Sequence, residues 1–163
     1  MGQNTAIALA PTSAPIATPA ALAFEAQNAG ECLTLARTLV ASRLLPRAIA
    51  TPEAAFAVIM TGRELGLTAM QSLRSIHIIE GKPTLSADLM IALVRRSAVC
   101  EYLVLVEGTA KVATYEAKRK DSPKPTRMSF TIEDAERAGL LGKDNWRKFA
   151  PAMLRARCGS AIC

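Results

Sequence analysis

Two stretches carry most of the residues able to do chemistry. GKDNWRKFAPAMLRAR, residues 142–157, sets the only tryptophan, Trp146, among five cations (Lys143, Arg147, Lys148, Arg155 and Arg157) and one acid, Asp144. KRKDSPKPTR, residues 118–127, adds Lys118, Arg119, Lys120, Lys124 and Arg127 against Asp121 alone. Guanidinium and ammonium groups at this density suit a polyanion, whose phosphates they neutralise. A flat ring among them either anchors the segment from inside or stacks on a base. Anchoring is the preferred reading for Trp146, because a single large ring is usually well buried. The cation run at 118–127 reads by default as a solvated hairpin tip.

Bond-making chemistry finds little to work with. His77 is the only histidine, so no Ser-His-Asp or Cys-His arrangement rises above chance. Glu64, Glu80 and Asp88 stand apart and make no acid–base pair. Residues 107–111, EGTAK, lack the second glycine and the Lys-Ser/Thr of a phosphate loop. Cys32, Cys100, Cys158 and Cys163 form no CxxC pair, which argues against structural zinc and against a disulfide framework, and Cys32 and Cys100 read as small buried apolar residues. The chain is therefore expected to be a binding protein rather than an enzyme, with no cofactor and no metal.

Charge is unevenly placed. Residues 1–110 hold 8 basic and 8 acidic residues, and residues 111–163 hold 12 basic and 6 acidic, so the net +6 sits wholly in the last third. Such asymmetry points to an acidic partner for that part. No lysine or arginine precedes Arg37, so the start lacks the charged region of a secretory signal. No run reaches the roughly 18 apolar residues that span a bilayer. A cytoplasmic protein with no membrane partner is expected.

Periodicity supplies the elements that hold these residues. Residues 1–22, rich in alanine and proline, are expected to be a disordered arm. Residues 23–163 read as a single α+β domain. Cys32, Leu35, Ala36, Leu39 and Val40 recur at helical spacing up to the break at Pro46. Thr51 caps a second helix with Pro52 and Glu53 in its first turn, an inward stripe of Phe56, Ile59 and Met60, and a stop at Gly66. Thr68 to Gln71 has the capping-box pattern. SIHIIEGKPTLS predicts a hairpin whose turn is the four residues Glu-Gly-Lys-Pro, and Ser86 caps the helix that carries Asp88 first and Arg95 and Arg96 last. Three strands follow, turning at Gly108 and at DSPKPT, as an antiparallel meander. Thr131 and Gly139 bound a short helix. Asp144 or Asn145 caps the last segment, where Pro151 makes one uninterrupted helix doubtful. In a continuous helix Trp146, Phe149, Ala150, Met153 and Leu154 would share one face.

The segment from Ala55 to Ser86 also fits a helix-turn-helix with a wing, its recognition helix presenting Gln71, Ser72 and Arg74 to duplex DNA. An ordinary helix pair packing its apolar faces is preferred, since that helix is short and offers Arg74 as its only cation.

Four stretches in order, GRELGL (62–67), SIHIIEGKPTLSADLMIALVRRS (75–97), FTIEDAERAGL (130–140) and KDNWRKFAPAMLRAR (143–157), resemble phage recombinases of the RecT type, the single-strand annealing proteins related in fold to Redβ. The likeness spans about residues 31 to 158. It implies an α+β fold of N-terminal helices, a β-hairpin and helix, a three-stranded antiparallel meander and C-terminal helices. It implies nucleotide-independent binding of single-stranded DNA, annealing through a duplex intermediate, assembly into rings or filaments, and a partner exonuclease. The family pattern continues past the MLRAR segment, so a shortened member is expected. Candidate DNA contacts are Lys82, Arg95, Arg96, Lys118, Arg119, Lys124, Arg127, Lys143, Trp146, Arg147, Lys148, Arg155 and Arg157. The two alternatives are a winged-helix regulator of duplex DNA and a truncated interaction subunit of a longer homologue.

Overall fold

The computed structural model describes residues 25–163, so the expected arm at residues 1–22 lies outside the described residues. The fold is α+β. The element order is α1 (Ala29–Ala41), α2 (Pro52–Glu64), α3 (Ala69–Ser75), β1 (Ile76–Ile79), β2 (Lys82–Leu85), α4 (Ala87–Arg96), β3 (Cys100–Gly108), β4 (Val112–Arg119), β5 (Thr126–Thr131), α5 (Ile132–Arg137) and α6 (Asp144–Ile162). β1 and β2 form one antiparallel pair, and β3-β4-β5 form a second, three-stranded antiparallel sheet.

Local chemistry sets most boundaries. The side chains of Thr51, Thr68, Ser86 and Thr131 each accept an N–H from the first turn they cap. Asn28 does the same for α1. At Thr68 and Thr131 the box is reciprocal, with Gln71 and Asp134 reaching back to the cap's own N–H. The hairpin turn is tighter than the four-residue reading: Ile79 pairs with Lys82, and Glu80 and Gly81 alone turn the chain, with φ of 51° and 77°. Two consecutive positive φ values make a two-residue hairpin turn, for which glycine at the second place is well suited.

Two interiors result. The first joins Cys32 and Ala36 of α1, Ile49, Ala55, Val58 and Ile59 of the α2 region, Ala69 and Leu73 of α3, Ile76 of β1 and Leu89 of α4. The second joins Ile91 of α4, Leu103, Ala113 and Tyr115 of the sheet, Ala135 of α5, and Trp146, Leu154 and Cys158 of α6. Helix α4 thus faces both. Two close approaches depend on glycine. A Cβ at Gly62 would stand 1.8 Å from Ser72 Oγ, and one at Gly159 would stand 2.7 Å from Ile91 Cδ1.

Three expectations are corrected. The inward stripe of α2 is Ala55, Val58, Ile59 and Gly62; Met60 lies a further 100° round the helix and is 37% exposed. Cys32 is buried as expected, whereas Cys100 is only half-buried. Helix α6 starts after Lys143 with no side-chain cap: Asp144 pairs with Arg147, and Asn145 accepts the N–H of Trp146.

Candidate nucleic-acid interface

The sheet presents two unlike faces. Leu103, Ala113, Tyr115 and Phe130 turn inward, where Leu103, Ala113 and Tyr115 meet side chains of α4, α5 and α6 and Phe130 packs on Trp146. The alternate residues, Tyr102, Val104, Glu116 and Arg127, share the other face, with Val104, Glu116 and Arg127 in one cross-strand row. On that face the Tyr102 hydroxyl donates to Glu116 at 2.8 Å, and Arg127 lies 3.8 Å from the same carboxylate. The bond to Glu116, with some burial, raises the Tyr102 phenol above its ordinary range.

The thirteen predicted contacts fall into unequal positions. Lys118, Arg119 and Lys124 come together on one cleft of about 230 Å³, whose remaining lining includes Val94, Tyr102 and Ile162. Two of these three are already paired. Lys118 binds Glu101 at 2.6 Å, and Arg119 grips Asp121 through two hydrogen bonds of 2.9 and 2.7 Å. That grip holds the Asp121 carboxyl below its usual range and raises the guanidinium.

Tyr115 is a buried residue whose pKa is raised by burial first and by Cys158 next, with the charges of Arg155 and Arg95 opposing the shift. Arg95 Nε also donates to the Leu103 carbonyl at 2.9 Å. The Arg155 stem passes over the β3–β4 end, its Cδ 3.8 Å from where a Cβ on Gly108 would be. Arg157 is two positions on, about 200° round the helix, and so leaves by the opposite flank. Lys143, just before α6, and Arg147 and Lys148 in its first turns are exposed, Arg147 with Asp144 at 2.7 Å.

Two candidates belong to the other half of the molecule. Lys82 opens β2 beside the hairpin turn. Arg96 donates to the Leu65 carbonyl at 2.5 Å, where it satisfies the C-terminus of α2. The contacts therefore tie the C-terminal candidates into groups and join neither Lys82 nor Arg96 to them.

Trp146 is 5% exposed, its ring tilted against Phe130 with centroids 6.3 Å apart. It anchors α6, and its faces are closed to a base. The aromatic left open is Phe149, which is 61% exposed. It leaves the shared face because its backbone is not helical, with φ −138° and ψ 41°. Pro151 has no N–H for the Arg147 carbonyl and its ring crowds that oxygen, so the helix breaks just before it. The proline was legible in the sequence; the outward turn of Phe149 was not.

The helix-turn-helix reading meets a direct obstacle. Ser72, one of its three base-reading residues, is fully buried against Gly62 and donates to the Thr68 carbonyl at 2.7 Å. The helices pack by their small faces, as an ordinary pair does.

Among the described residues no three of His, Cys, Asp and Glu converge as metal ligands, and no helix is long and apolar enough to cross a membrane. No protein-family model matches the chain, and no curated protein matches it.

Proposed function

We propose that the chain binds single-stranded DNA and promotes annealing of complementary strands without nucleotide hydrolysis, as a RecT/Redβ-like binding protein rather than an enzyme. One observation carries this reading. Of the 12 basic side chains in residues 111–163, Lys118, Arg119, Arg127, Arg137 and Arg147 are ion-paired and Lys120 donates to the Ala98 carbonyl. Lys111, Lys124, Lys143, Lys148, Arg155 and Arg157 have no ion-pair or side-chain hydrogen-bond partner among the described residues. Four of these six lie on or beside α6, the helix that Trp146 fixes to the sheet.

The mechanism is physical. Unpaired cations displace condensed counterions from phosphates, and the strand lies along them with its base edges free for a complement. The reading places the protein in the cytoplasm of a bacterial host, as a homo-oligomeric ring or filament working beside an exonuclease.

The test is fluorescence anisotropy across a salt series, paired with annealing of two complementary oligonucleotides in the absence of nucleotide. Arg155→Ala with Arg157→Ala should weaken binding and flatten the slope of log affinity against log salt by up to about 1.4, at roughly 0.7 per phosphate contact. An unchanged affinity and slope would count against the reading. Strong preference for one duplex sequence over any single strand would favour a duplex regulator instead.

A further inference from the structure

Phe149 is the one exposed Phe, Trp or Tyr among the described residues: Trp146 and Tyr115 are buried, and Phe56, Phe130 and Tyr102 are half-buried. A lone exposed apolar side chain needs no explanation by itself. This one has two further features. A continuous helix would have turned it inward beside Trp146, and the break before Pro151 turns it out. In sequence Arg147 and Lys148 precede it and Arg155 and Arg157 follow it, the last two on opposite flanks of α6, and Lys148, Arg155 and Arg157 have no ion-pair or side-chain hydrogen-bond partner among the described residues. The span from Lys143 to Arg155 is at most about 18 Å at 1.5 Å per residue, room for a short run of nucleotides.

We infer that Phe149 is the stacking platform of the site, taking the face of an unpaired nucleobase while the flanking cations hold the phosphates on either side. The inference rests on the single-strand reading above and adds to it the residue that meets the bases. The kink supplies what the geometry needs. It lifts the ring clear of the helix face, and the two anchored ends, Trp146 before it and Leu154 after it, keep it in place. A ring meets any base equally through its π-face, so the platform contributes affinity without sequence preference.

Stacking and charge neutralisation separate experimentally, because only the latter depends on salt. The proteins are the wild type, Phe149→Ala and Phe149→Trp. The probes are a thymidine oligonucleotide of about 20 residues and an abasic strand of equal length, long enough to fill a site of roughly 4–16 nucleotides. Phe149→Ala should bind the thymidine strand about tenfold more weakly with an unchanged salt slope. The wild type should bind the abasic strand about as weakly, and Phe149→Ala should no longer distinguish the two. Phe149→Trp should retain affinity, and its added indole emission should fall on binding.

Equal affinity of Phe149→Ala and wild type for the thymidine strand overturns the platform and leaves the single-strand reading standing. So does a loss that comes with a flatter salt slope, or with a change of oligomeric mass in light scattering. If the wild type binds neither probe, the single-strand reading itself fails and the platform falls with it.

Discussion

The two halves of the molecule differ in whether their cations meet carboxylates. In the helical half, before β3, cations satisfy backbone: Arg63 donates to the Ala26 carbonyl and Arg96 to the Leu65 carbonyl. In the sheet half every ion pair among the described residues is found, from Glu101–Lys118 to Asp144–Arg147. The helical half is closed by caps and apolar packing. The sheet half, residues 100–163, carries 12 basic against 8 acidic residues, pairs five of its cations with carboxylates and leaves others free. Within the sheet half, the contrast between paired and free cations teaches where an acidic ligand finds work to do, because a cation already bound to a carboxylate must first give up that partner.

The sharpest way to break the comparison is at Trp146. Trp146→Ala should cost about 3–5 kcal/mol, as a large core ring removed without replacement does, read by urea unfolding with circular dichroism. A loss below 1 kcal/mol would mean the ring is not the anchor of α6.

Next in size are the two glycines. Gly62→Ala drives a methyl into Ser72 Oγ and Cβ, at 1.8 and 2.5 Å, between two packed helices. It should cost about 1–3 kcal/mol. Gly159→Ala meets the mobile end of Ile91 at 2.7 Å, which can turn aside, and should cost less. Equal costs in thermal melts would show that the helical half is no more tightly closed than the sheet half.

How much was legible in the sequence follows from range. Thr51, Thr68, Ser86 and Thr131 announced their helices because a cap is a contact within three residues. Gly66 and Gly139 announced the stops, and both have positive φ. The strands and the hairpin showed by period and turn chemistry. The site was legible as a set of charges but not as an arrangement. That Glu116 would neutralise Arg127 depends on strand register. That Arg96 would turn back to Leu65 depends on how α4 crosses α2. Met60 was misplaced because an apolar residue near a helical stripe is inside or outside according to a rotation that only packing fixes, whereas Phe149 turns out because the backbone breaks before Pro151.

The smallest effect sharpens the contrast by pH. Asp121, Glu133 and Asp134, all in the sheet half, have carboxyls held below their ordinary values, by the Arg119 hydrogen bonds, by the first amides of α5, and by the Thr131 N–H respectively. A depressed carboxylate favours the fold above its unfolded value and loses that contribution as pH falls through the folded one. As pH falls below about 4.5, amide protection factors should therefore drop in α5 and the β4–β5 turn before they do in α2 and α3. Earlier opening of α2 and α3 would reverse the assignment of acid sensitivity.

Helix α4 lends Leu89 to one interior and Ile91 to the other. Neither compartment has all its walls without that short rod, so melting is a shared event rather than two separate ones. A polyanion resting on the sheet side would then be felt at a distance: amides of α2 and α3, which it never touches, would exchange more slowly once it is bound.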